Sequence, residues 1–278
     1  MQKALFWVFA AFFIISANAQ WLNYRAAGTP VTKDGKVDFA APAPRMADGK
    51  PELTGVWHLQ PTKQTAAPVD NVAVGAPGVN PNSLTANIFR DLKAEGNLET
   101  EQGTKVREER TKNGLRLNPT VFCLPMGLPS DNFVAEVVKF VQAPKEIIVI
   151  HEVDNSYRQI YLDGRPLPKD PSPSWLGYST GHWEGDTLVV ETEGFNDKTW
   201  LDMSGHSHSE QMHLTERYHR RDYGHLDVEM TFNDPVMYKK PFTIKFTHQL
   251  VPDSDILEAY CAENEKDSGH ILGTTPVK

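Results

Sequence analysis

The sequence predicts a mainly β fold, an antiparallel meander that curls into a barrel, with a short helical flank on its N-terminal side. Three observations predict it. Apolar residues change from helical spacing to alternation at about residue 131 and keep that period through most of the remaining chain. Four joints between alternating runs carry turn chemistry: Asp154-Asn155, Asp163-Gly164, Glu184-Gly185-Asp186 and Asp222-Tyr223-Gly224. The composition, 40 % hydrophobic and 23 % charged over 278 residues, is globular and excludes whole-chain disorder and collagen-like structure.

The first segment is read as an address rather than as fold. Lys3 precedes the apolar run Ala4–Ile15, and Ala17-Asn18-Ala19 supplies a small-residue cleavage site, so residues 1–19 form a secretory signal peptide cut before Gln20. A spanning helix needs about 20 apolar residues, and no later run reaches that length. A secreted or periplasmic protein without a membrane span is expected. Residues 20–52 are rich in Pro, Ala and Gly and lack periodicity, which predicts an extended surface segment.

Residues 53–278 read as a single β-rich domain with a loop and helical insertion at about 60–117. Leu53–Leu59 is a short strand-like run, and residues 61–82 form a long loop. Residues 83–95, with Ser83 as N-cap and Leu84, Ile88, Phe89 and Leu92 at helical spacing, and the highly charged stretch 98–113 predict helices. The strands follow: Phe133–Val141, Glu146–Val153, Tyr157–Leu162, Leu176–Trp183, Thr187–Glu193, His213–Arg221, His225–Phe232, Phe242–Leu250 and Ile256–Cys261. A meander of this length hides its edges by curling or closing.

Charge and cysteine usage narrow the chemistry. A net charge of −8 with no basic stripe excludes binding to a nucleic-acid backbone. In an oxidising compartment the only two cysteines, Cys123 and Cys261, are expected to pair, and no C-x-x-C spacing supports a thiolate metal site. Walker A, H-E-x-x-H and dinucleotide fingerprints are missing, so no cofactor is implied.

Several segments carry a resemblance. DGKPELTGVW at 48–57, CLPMGLP at 123–129, YRQIYLDGR at 157–165, GHWEGDTLVV at 181–190, GHSHSE at 205–210 and CAENE at 261–265 are similar to an uncharacterised family of exported proteins of environmental bacteria. The similarity runs over about residues 41–270 and brings no assigned activity and no catalytic residues. Gly55-Val56-Trp57 also resembles the G-x-W opening of calycin barrels such as lipocalins, which implies a calycin-like barrel. Barrels of about eight strands hold either packed side chains or one small ligand.

Alternation then predicts polar residues on apolar faces. Arg158 shares a face with Ile160 and Leu162, His151 with Ile147, Val149 and Val153, Glu216 with Leu214 and Tyr218, and His248 with Phe242, Ile244, Phe246 and Leu250. Buried charges are costly unless paired. The interior therefore calls for mutual pairs, such as Arg158 with Glu216, or for a polar ligand.

The densest chemistry lies in Trp200–His219, which holds His206, His208, His213 and His219 with Asp202, Glu210 and Glu216. On extended backbone His206 and His208 project to one side and can exchange protons near neutral pH. Three uses stay open there: acid–base or substrate binding, a divalent metal held by Asp202, His206, His208 and Glu210, or a polar loop. Gly177-Tyr178-Ser179-Thr180-Gly181 matches G-x-S-x-G but lacks the strand-to-helix context of a nucleophile elbow. Glu184-Gly185-Asp186 is turn chemistry, and His182 with Trp183 is a candidate ligand wall.

The leading expectation is an enzyme acting by general acid–base catalysis (isomerisation, elimination, hydration or hydrolysis) on a small organic molecule. His206 and His208 carry protons with Glu216 as partner, and Arg158, His151, His182, Trp183, Tyr218 and His248 hold substrate. The alternatives are a small-ligand carrier and a metal-dependent hydrolase using His206 and His208.

Overall fold

The computed structural model describes residues 25–60, 84, 86–133, 137–153 and 155–261. The expected signal peptide, the expected loop at 61–82 and the expected N-cap Ser83 lie outside them. Nine strands close into one barrel in sequence order: β1 (Gly55–Leu59), β2 (Val138–Ala143), β3 (Glu146–His151), β4 (Ser156–Tyr161), β5 (Tyr178–Glu184), β6 (Thr187–Glu193), β7 (His213–Arg220), β8 (His225–Asn233) and β9 (Phe242–Leu250). The ring shuts where β1 pairs with β9, Trp57 opposite Leu250.

Parity explains one departure from the expected meander. Strands that alternate in direction cannot close a ring of odd number, so one neighbouring pair must run parallel. That pair is β4–β5, joined by only two register pairs, Ile160↔Ser179 and Tyr161↔Thr180. Asp163-Gly164 therefore does not make the expected hairpin; it opens the connection 162–177 that carries the chain back to the end where β4 began. The expected last strand, Ile256–Cys261, is irregular backbone, because β1 already occupies the edge of β9.

Hairpin chemistry accounts for the other end. Gly185, at φ 60°, makes the two-residue turn that pairs Glu184 with Thr187. Asp186 of that turn takes a bidentate ion pair from Arg45, at 2.9 and 2.6 Å, which fastens the N-terminal segment to the barrel. Residues 25–52 carry the small bridges Val31↔Val37 and Arg45↔Pro51 and are otherwise turns and extended backbone.

The helical flank is an insertion between β1 and β2 rather than an N-terminal element. Its α-helix, α1 (Glu101–Asn113), starts where the Thr100 hydroxyl accepts the Gly103 amide at 3.1 Å. A Cβ on Gly103 would collide with the Met237 carbonyl, so a glycine lets the helix lie against the loop after β8. Only Gly103 and Arg110 of α1 are buried, as its charge predicts. The helix expected at 83–95 does not form among the described residues, apart from a 3-10 turn at Lys93–Glu95. Its amides are engaged elsewhere: the Ile88 N–H donates to Asp202 at 2.7 Å and the Phe89 N–H to the Asn87 side chain at 2.8 Å.

Strand directions send residues 86–133, 162–177, 194–212 and 234–241 to or from one end of the barrel, where they build a cap. The opposite end is shut by Arg220. Its guanidinium stacks 4.9 Å from the Trp57 ring and donates to the Glu52, Asp222 and Tyr223 carbonyls. Trp57, Phe140, Ile147, Ile160, Leu188, Leu214, Met230 and Phe232 are fully buried between the two ends. No helix among the described residues is long and apolar enough to cross a membrane. Cys123 and Cys261 form the expected disulfide, with Cα atoms 5.4 Å apart.

Candidate functional site

At the centre of the barrel the polar groups satisfy one another. Arg158 projects inward from β4 and Glu216 from β7, and both are buried. Arg158 Nη1 donates to Glu216 Oε1 at 3.0 Å, Nη2 pairs with Oε2, Nε donates to the Ser179 hydroxyl at 2.9 Å, and Nη2 reaches Thr192 at 2.6 Å. The Tyr218 hydroxyl donates to Glu216 at 2.6 Å. Burial works against the Arg158 charge, but the Glu216 carboxylate outweighs it and moves the guanidinium above its ordinary range. Burial, then the same carboxylate, holds the Tyr218 phenol well above its usual value. Of the two solutions the alternation allowed, a mutual pair is the one adopted. Phe140 lies edge-on to Tyr218 at 5.6 Å and fills the space beside it.

A second polar cluster sits where β3 and β9 meet the cap. His151 and His248 point inward, as alternation predicts. His151 Nδ1 is 3.3 Å from the Ser156 hydroxyl and 3.8 Å from Asp131, and His248 Nε2 meets the Asn132 carbonyl at 3.2 Å. Burial lowers His151 to about 3 and His248 to about 4. His208, in the cap, is likewise brought by burial to about 4.

These three neutral imidazoles set a pH dependence. Each folded-state value lies below the ordinary 6.5, so the unfolded chain takes up protons first as pH falls. Their contribution is whole above 6.5 and is lost progressively toward 3–4. We expect the urea midpoint to fall between pH 7 and pH 5 while the ring resonances of His151, His208 and His248 stay unshifted. An unchanged midpoint, or rings that titrate near 6.5 in the folded protein, would contradict this.

The catalytic group expected from sequence is not assembled. His206 Nδ1 binds Asp202 at 2.6 Å and its ring packs 4.5 Å from Phe89. His208 Nε2 lies 2.5 Å from the Thr199 hydroxyl, with its ring against Phe195. Different partners hold the two rings, although Ser207 between them sits in a β-bridge with Trp200; the turn lies before His206, where Gly205 has φ 87°. Glu216 is occupied by Arg158 and Tyr218 inside the barrel and partners neither imidazole. His213 is on the outer face, between Glu193 at 2.8 Å and Glu191 at 2.5 Å.

The expected metal set fails for a similar reason, since Glu210 is exposed, whereas Asp202 and His206 are buried against each other and His208 is buried on Thr199. Among the described residues no group of three His, Cys, Asp or Glu is placed to hold a metal ion. His182 is also corrected. Ser179 points inward on β5, so three residues on His182 faces out and meets Glu184 at 3.4 Å. Trp183 turns inward near the hairpin end, beneath Lys50, and forms no wall with it. Ser179 of the G-x-S-x-G match is a buried strand residue bonded to Arg158 and Thr192, and a Cβ on Gly181 would press on Leu162 at 2.9 Å.

What the tertiary structure adds is a cleft over the parallel seam. Where β4 and β5 separate below their two register pairs, a groove of about 450 Å³ opens. Tyr157, Tyr161, Trp175 and Tyr178 form its aromatic walls, with Ser156, Arg158 and Ser179 along it. Tyr161 stacks on Tyr178 at 5.3 Å, and Arg165 locks that pair by lying 3.9 Å over Tyr161 and donating to the Tyr178 hydroxyl at 3.2 Å. Tyr157 is 67 % exposed. The sequence signal for this site was a pair of tyrosines, 157 and 161, on the outward face of one strand.

The fold and site together define a closed nine-stranded barrel with a lateral, aromatic-walled cleft at its parallel seam. Comparison with protein-family models, curated proteins and solved structures finds no match.

Proposed function

We propose that this is an exported small-molecule-binding protein that takes a flat organic ligand into the seam cleft. One observation carries the reading: the cleft has ligand dimensions, about 450 Å³, and rigid aromatic walls, the features that mark small-molecule sites. Aromatic walls bind by area and by ring contacts, each ring pair adding about 0.5–1.5 kcal/mol beyond burial. Polar groups along the wall, Ser156 and Gln159 among them, would orient the ligand.

A neutral fluorescent amine, N-phenyl-1-naphthylamine, tests this. It should bind the wild-type protein and bind roughly 10-fold more weakly, about 1.4 kcal/mol, to Tyr157→Ala and Trp175→Ala. Equal affinity in all three proteins would remove the cleft from the argument. Native mass spectrometry of the purified protein then names the natural occupant by mass.

A second reading, acid–base catalysis, is favoured by the Asp202–His206 contact at 2.6 Å. A carboxylate that holds Nδ1 leaves Nε2 as the nitrogen that exchanges protons. The naturally bound molecule, incubated with the protein and followed by mass spectrometry, separates the readings. Conversion that disappears in His206→Gln supports catalysis, and a molecule returned unchanged supports a carrier.

A further inference from the structure

Two arginines of this protein are buried over tryptophan rings, and they differ in what their donors meet. Arg220 is 3 % exposed, lies 4.9 Å from Trp57 and spends its fork on the Glu52, Asp222 and Tyr223 carbonyls. Arg110 is 9 % exposed and lies 5.0 Å from Trp200, but among the described residues its one hydrogen bond is a long contact, 3.4 Å, from Nη1 to the His206 carbonyl. Among the described residues no carboxylate comes within salt-bridge reach of it. A buried guanidinium left this short of acceptors is costly, and most structures avoid it.

The space in front of Arg110 is a cleft of about 290 Å³. It is lined by Arg107, Arg110 and Thr111 of α1 and by Trp200, Met203 and Ser204 of the cap. Spacing of three and four residues puts the α1 members on one face of the helix. The hydroxyls are already used, Thr111 on the Arg107 carbonyl at 2.8 Å and Ser204 on the Ala86 carbonyl at 2.6 Å. Arg107 holds Glu99 through Nε. Arg107 keeps its Nη groups in a part-exposed side chain, so Arg110 is the buried member of this lining with donors to spare.

We propose that this cleft is a second ligand site, distinct from the seam, which binds a small organic carboxylate through Arg110. The planar fork matches a carboxylate in a bidentate pair, and Arg holds its charge when buried. Burial brings Arg110 to about 10, so it is still a cation at neutral pH. Asp197, Asp202 and Glu109 lie farther off and favour that charge. Asp202, whose own charge would oppose an anion, is answered by the Ile88, Ser204 and His206 amides and by the His206 ring. Trp200 and Met203 offer apolar surface for the body of the acid, and the volume limits that body to about one ring.

Benzoate is the probe, added to the mature full-length protein. It should raise the melting temperature in a saturable way, and benzyl alcohol should not. Arg110→Gln should weaken benzoate binding at least 10-fold, while Trp175→Ala in the seam leaves it unchanged. A variant that fails to fold leaves a second measurement on the wild-type chain. Phenylglyoxal should modify Arg110, with benzoate slowing that modification, and should spare Arg220. Benzoate that fails to bind, that binds Arg110→Gln as tightly as wild type, or that gives Arg110 no protection overturns the proposal. Inorganic phosphate that competes as well as benzoate would overturn the carboxylate assignment. A seam that fails to bind the neutral amine bears only on the other site.

Discussion

Arg158→Met should lower the free energy of unfolding by about 3–5 kcal/mol, the range for breaking one side of a buried ion pair. Arg158 meets Glu216 through two nitrogens in the centre of the barrel, and Glu216 is 0 % exposed. Removing the cation leaves a carboxylate whose remaining side-chain donor is the Tyr218 hydroxyl at 2.6 Å. Ser179 and Thr192 suffer less, because they bond each other at 3.0 Å. The pair as a whole contributes far less than either half costs to lose, since two charges were taken out of water to make it. Arg158→Met combined with Glu216→Leu should therefore recover most of the loss. Denaturant unfolding of wild type, the single variant and the double variant reads this directly. A double variant no more stable than Arg158→Met would show that the cost lies in packing rather than in an unpaired charge.

The second large effect comes from the disulfide. Cys123→Ala with Cys261→Ala should cost up to about 5 kcal/mol, the loop-closure entropy for a sequence separation of 138. The bridge joins the connection after α1 to residues 251–261, which run outside the barrel across the β3–β4 turn. Other ties on that stretch are surface contacts: the Leu257 amide on Glu152 at 2.7 Å, Asn155 with the Ala259 backbone at 2.6 and 3.2 Å, and Lys139 with Asp255 at 2.7 Å. Exposed pairs of this kind contribute about 0–1 kcal/mol each. Besides the lower denaturation midpoint, hydrogen exchange at the Leu257 and Ala259 amides should accelerate while amides of β6–β8 stay protected. A variant that unfolds at the wild-type midpoint would refute the entropic account.

How much of this was legible in the sequence follows from what each feature depends on. Strand positions were readable because alternation is a property of neighbours in the chain: His213–Arg220, His225–Asn233 and Phe242–Leu250 fall within a residue of expectation. The Arg158–Glu216 pair was readable for the same reason, since two opposite charges each sat on an apolar face. Ile256–Cys261 shows where such a reading stops. The run has strand composition, but pairing needs a free edge, and β1 had taken it.

The cap histidines mark a different boundary. His206 and His208 flank the bridged Ser207, but each ring is taken by its own partner, Asp202 for His206 and Thr199 for His208, and alternation does not reveal such partners. Asp202 captures His206 four residues away, a pairing that spacing alone did not single out. Of the seam cleft only the outward pair Tyr157 and Tyr161 was readable: Pro125, residues 155–159 and residues 174–179 meet only because the barrel closes.

By itself the sequence determined the class of fold, the hairpin turns at Glu184-Gly185-Asp186 and Asp222-Tyr223-Gly224, the partnered cysteines and the inward faces of Arg158 and Glu216. All of these follow from local geometry, the two-residue repeat of a strand and the φ of its turn glycines. Closure was decided in three dimensions. With nine strands in the ring, direction could not alternate throughout, so one seam had to be parallel, and that weakly joined seam is where the barrel opens a cleft.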